Sequence, residues 1–151
     1  MKKAVGVTLI IVMIALLLWP DQKSTQSYLI NFIEHENHFY DLQNIACEKY
    51  LKKKGYYKEV PENVQDPSLR GGLEKIGARN IFVKQVDQGC TIELKMAGTG
   101  FAGSGYSYQY RFNPESRSNG ISSVNAESFT SDDFTYDIKL SGNWYFTFKK
   151  T

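Results

Sequence analysis

Hydrophobic and polar positions divide the chain into three regimes with different periods. From Ala4 to Trp19 the run AVGVTLIIVMIALLLW carries no charge at all. From about Ser27 to Lys54 apolar residues return at helical spacing, and Tyr28, Leu29, Phe32, Ile33, Phe39, Tyr40, Ala46, Cys47, Tyr50 and Leu51 fall on one broad stripe. From Ile81 onward the period is two. Ile81 to Val86 predicts a strand, and Cys90, Ile92, Leu94 and Met96 alternate with Thr91, Glu93 and Lys95. The same alternation returns in Tyr106 to Phe112, in Phe134 to Leu140 and in Trp144 to Phe148. One-sided strands need a cover on their apolar face, and the amphipathic helix is the element able to supply it. The predicted fold is α+β: an N-terminal membrane helix, then one long amphipathic helix packed on an antiparallel sheet of about five strands.

Between these regimes the patterns fail. Pro61, Pro67, Gly71, Gly72 and Gly77 punctuate Tyr56 to Arg79, which reads as a surface connection with at most a short helical turn near Leu69 to Ile76. Lys52, Lys53 and Lys54 followed by Gly55 suit a helix C-terminus. Asn113 to Asp133 is a polar excursion between strands, and Ser141-Gly142 reads as a tight turn.

As a helix the first run would span about 24 Å, against a hydrocarbon core about 30 Å thick. Lys2 and Lys3 precede it and Trp19 sits where an amphipathic ring belongs at the far interface. No small-residue cleavage pair ends the run, so residues 1–20 read as an uncleaved signal-anchor, a cleaved signal peptide being the other reading of the same residues. Either way residues 21–151 form a single exported domain. The expected location is the bacterial inner membrane, single-pass, with the C-terminal domain in the periplasm or outside the cell.

The segment Gly6-Val7-Thr8-Leu9-Ile10-Ile11-Val12-Met13-Ile14 resembles the start of a type IV pilin or pseudopilin. It departs from that pattern at Val7, where the family has phenylalanine, and at Ile11, where it has the assembly glutamate. The resemblance implies a structural subunit processed after Gly6.

Charge narrows the partners. All sixteen acidic residues lie beyond Pro20, and of eighteen basic residues only Lys2 and Lys3 precede it, so the exported part is formally neutral. Nucleic acid, bound through concentrated Lys and Arg, is not expected. Cys47 and Cys90 are the two cysteines of the chain. In an oxidising compartment they should pair, since both fall on apolar faces of the helix and the sheet.

Candidate chemistry is sparse. Gly98-Thr99-Gly100-Phe101-Ala102-Gly103 spells G-x-G-x-x-G, but a strand follows it where a dinucleotide site needs a helix N-terminus, so an inter-strand loop or bulge is expected. His35-Glu36-Asn37-His38 places its histidines three apart, against the four of a zinc-protease helix. Glu36 lies by angle near the middle of the apolar stripe. No serine has a nucleophile setting, no metal or cofactor is expected, and the chain is not read as an enzyme. Phe101, in a loop beside a tyrosine strand, and Tyr56, Tyr57 and Tyr145, aromatic residues left over from the core pattern, form the candidate interaction surface. The function expected is that of a membrane-anchored accessory, inhibitor or immunity-type protein that binds another protein.

Overall fold

The structure, a computed structural model, describes residues 25–50, 56–87, 89–101, 104–117 and 134–150. The apolar run with Lys2, Lys3 and Trp19, the expected helix stop at residues 52–55 and most of the excursion 113–133 lie outside the described residues. Among the described residues no helix is long and apolar enough to cross a membrane.

The expected single long helix is two: α1, Thr25–Glu34, and α2, Glu36–Ile45, followed by a turn of π-helix, Ala46–Tyr50. The break falls at His35, whose φ of −122° leaves the helical region. The buried positions are Tyr28, Phe32, Phe39, Leu42 and Ala46. At about 100° per residue these lie within roughly 40° of Tyr28. The buried arc is therefore narrower than the expected stripe and centred to one side of it. That is why Leu42 is buried and Ile33, expected in the stripe, is 73% exposed. Glu36 sits on the flank of the arc and is half-exposed.

A third helix, α3, spans Pro67–Ile76, where sequence alone allows only a short turn. Its ends are strongly specified. Asp66 accepts a hydrogen bond from the Leu69 amide at 2.9 Å, and Pro67 occupies the first turn. At the other end Gly77 has φ 74°, with Gly77 N donating to Glu74 O and Ala78 N to Leu73 O. Leu69, Leu73 and Ile76 are buried beneath it.

Six antiparallel strands form one sheet in the order β1-β2-β3-β4-β6-β5. They are β1, Tyr56–Glu59; β2, Asn80–Val86; β3, Gly89–Phe101; β4, Ser104–Phe112; β5, Phe134–Lys139; and β6, Trp144–Lys150. The strand β1 lies within the expected surface connection. Of the glycine-rich stretch, expected as an inter-strand loop or bulge, Gly98 to Phe101 is paired strand: Gly98 faces Ser107, Gly100 faces Gly105 and Phe101 faces Ser104. The register shift comes earlier, between Lys95 and Ala97. A Cβ on Gly98 would stand 2.9 Å from the Tyr106 carbonyl oxygen, so a bare backbone is needed there.

The helices cover one face of the sheet. Phe39 meets Tyr110 with centroids 4.7 Å apart and Trp144 at 5.3 Å, both edge to face. Phe32, Tyr28 and Phe146 extend the cluster. Cys47, in the π-turn, is bonded to Cys90 at the start of β3, with Cα atoms 5.8 Å apart. The bridge ties the end of the helical layer to the sheet.

The opposite face departs from the expectation of a uniformly wet surface. Asp137, Tyr145 and Thr147 are buried there. Asn113 to Arg117 crosses above them: Arg111 Nη2 donates to the Ser116 carbonyl, and the Arg117 guanidinium stands 5.2 Å over the Tyr145 ring.

Candidate functional site: an interhelical groove

Three features of the described residues could carry function, and they differ in how much they offer a ligand. The first is the charged cluster on the outer face. Arg111 Nη2 donates to both Asp137 oxygens at 3.0 Å, and Thr147 donates to Oδ1. The side chains of Arg111 and Asp137 are 13% and 2% exposed. The ion pair is thus largely buried and serves to hold strands β4 and β5 on this face.

The second is the tyrosine seam of the core. The Tyr110 hydroxyl donates to the Tyr28 carbonyl at 2.5 Å and receives Asn31 Nδ2 at 3.4 Å. Asn31 also donates to the Ile76 carbonyl, so one amide links α1, α3 and β4. Burial pushes the Tyr110 hydroxyl well above the usual phenol range, opposed by the Asn31 hydrogen bond and helped by Tyr28. Tyr108 is raised as well, by burial first and then by Tyr106 and Tyr136. The Tyr110 phenol is a structural donor.

The third is a groove of about 490 Å³ between α2 and α3. Its floor is the contact of Leu42 with Gly72. A Cβ on Gly72 would lie 2.8 Å from Leu42 Cδ2, so the two helices approach this closely only because the position is glycine. Polar groups of both signs ring the opening: His38, Asp41 and Asn44 from α2, and Ser68 and Lys75 from α3. Gly71 also lines it, and a Cβ there would meet nothing within 4 Å. A glycine inside a helix costs about 1 kcal/mol relative to alanine. At Gly72 that cost is met by packing; at Gly71 no packing contact requires it.

Ser68, His38 and Asp41 are the residue types of a hydrolytic triad, but no hydrogen bond joins them, and Ser68 and Asp41 are open to water. The groove therefore has no activated nucleophile. His35 and His38 stand with ring centroids 5.8 Å apart, and the described residues hold no group of three metal-ligating side chains.

The aromatic residues proposed from sequence do not converge. The backbones of Tyr56 and Tyr57 lie on edge strand β1, paired with Lys84 and Val83, and Phe101 ends β3 at its hairpin. Tyr145 belongs to β6, four strand positions from β1, or about 19 Å at the usual spacing. It is 6% exposed beneath Arg117, which removes its ring from the surface. The groove has no local signature in sequence, because its two walls are about thirty residues apart. The Asp66-Pro67 start and Gly77 stop of α3 are the signals that could have revealed one wall.

Comparison with protein-family models, with curated proteins and with solved structures finds no match to this chain.

Proposed function

We propose that this chain is a membrane-anchored, exported domain of the bacterial inner membrane that acts by holding a protein partner, without catalysis. The observation that carries this reading is the Cys47–Cys90 bond in a domain directly behind an uncharged apolar run, because disulfides persist in oxidising compartments. The groove between α2 and α3 is the contact surface. Its volume falls within the usual range for binding pockets, about 300–1,000 Å³. An apolar floor rimmed by Asp41 and Lys75 suits a protein segment carrying both signs of charge. Gly71 keeps the wall bare for it.

The test is photocrosslinking from position 75 in intact membranes, with and without Gly71→Leu. The substitution points into open space and leaves the fold intact. A defined crosslinked partner that disappears in the variant supports the reading; a crosslink indifferent to position 71 counts against the groove.

A pilin- or pseudopilin-like subunit is the second reading, favoured by helical layers α1 and α2 that precede an antiparallel sheet and lie over it. Cleavage after Gly6 would support it, and an intact N-terminus would exclude it.

A further inference from the structure

The buried arc of α1 is accounted for by the sheet, but a second arc of the same helix is apolar and faces water. Ile30 and Ile33 are 46% and 73% exposed, the exposed large hydrophobic side chains among the described residues. At about 100° per residue, Gln26, Ile30 and Ile33 share a sector roughly 60° wide, turned away from Tyr28, while Leu29 at its edge packs against the core. This sector carries no charge, and Glu34 borders it. Isolated exposed side chains need no explanation, but two adjacent isoleucines on an otherwise uncharged helical sector do.

What lies opposite them follows from the chain. The apolar run ends at Trp19 and the first described residue of α1 is Thr25, so five residues separate the two in sequence. Five residues reach at most about 18 Å even when fully extended. Ile30 and Ile33 are then only about 8 and 12 Å further along the helix axis. A helix held this close to the exit of a membrane span lies within reach of the head-group zone, where an amphipathic helix places its apolar side chains.

We infer that the Ile30-Ile33 sector of α1 rests on the lipid surface, so that the domain is oriented on the membrane as well as tethered to it. This rests on the membrane-anchor reading above. The occupant of the sector is lipid, at the depth of head groups and upper acyl chains. A consequence is that the groove between α2 and α3 is held at a fixed orientation to the membrane.

The test uses the full chain in nanodiscs of phosphatidylethanolamine and phosphatidylglycerol, with isoleucine methyl NMR signals observed. A gadolinium-headgroup lipid should remove most of the Ile30 and Ile33 intensity, while Ile81 and Ile92, buried in the core, keep theirs. A soluble gadolinium chelate should spare all four. If the chain stays with the discs but the chelate, and not the lipid, bleaches Ile30 and Ile33, the inference fails and the anchor reading survives. If neither agent reaches them, a second copy or another protein covers the sector, which also overturns it. A chain that does not co-migrate with the discs overturns both. Ile30→Gln with Ile33→Gln, a change confined to exposed positions, should leave the chain with the discs and sharpen the signals of the remaining domain as it reorients more freely; unchanged line widths contradict the inference.

Discussion

On the helix side of the sheet Phe39, Tyr110 and Trp144 are closed off from water by ring contacts, whereas on the other side Asp137 is also buried but is held by polar contacts, among them Arg111 and Thr147. The first face loses stability in proportion to the apolar area uncovered. The second responds to whichever partner is removed, since a desolvated charge left alone is costly while a matched apolar pair is not. Moreover, only half of the second face is sealed. Over β1 to β4 it opens as a shallow hollow of about 290 Å³ beside Lys58, Phe82, Glu93 and Gln109. On the sealed part Asn113 to Arg117 reaches across from the end of β4 and covers Tyr145.

The largest expected effect lies on the helix side. Cys47→Ser opens a cross-link spanning 43 residues, and loop-closure entropy puts the loss at about 4 kcal/mol. Denaturant unfolding measures it, with a reducing agent giving no further loss in the variant. On the outer face Arg111→Ala should cost about 3 kcal/mol by stranding Asp137, whereas Arg111→Met with Asp137→Leu should recover most of that loss. A double variant as unstable as the single one would erase the contrast between the faces.

Tyr110→Phe should cost about 1–2 kcal/mol at neutral pH through loss of the hydrogen bond to Tyr28. Its pH dependence gives a sharper test. Because burial raises the folded phenol, its contribution is complete below about pH 10, the unfolded value, and is lost as pH rises beyond it. The variant should therefore lose stability less steeply than the parent above that pH. The smallest effects distinguish the two adjacent glycines of α3. Gly71→Ala should stabilise by about 1 kcal/mol, from helix propensity alone. Gly72→Ala should gain nothing or destabilise, because the same propensity is offset by an overpacking cost of about 1–3 kcal/mol against Leu42.

Legibility in the sequence followed locality. Strict alternation in Tyr106 to Phe112 and Trp144 to Phe148 specifies strands without tertiary help, and the two cysteines needed only their faces. Leu42 was missed because the width of an apolar stripe does not fix its centre: the sheet selects which part is buried. In α3, two interior glycines obscured a helix whose cap at Asp66 and stop at Gly77 outweigh them. Asp137 alternates outward like any strand carboxylate, and it is buried by a segment of chain from another strand. The groove depends on Leu42 meeting Gly72, a contact between residues with no shared local pattern.

We propose an address for the disulfide-bonded domain, the outer side of the inner membrane. Labelling intact spheroplasts with a membrane-impermeant amine reagent tests it directly, because Lys75, Lys95 and Lys139 are exposed on the domain and Lys2 and Lys3 precede the apolar run. Lys75, Lys95 and Lys139 should be modified before lysis, with Lys2 and Lys3 reacting only afterwards. Protection of the three domain lysines until the membrane is broken would contradict it.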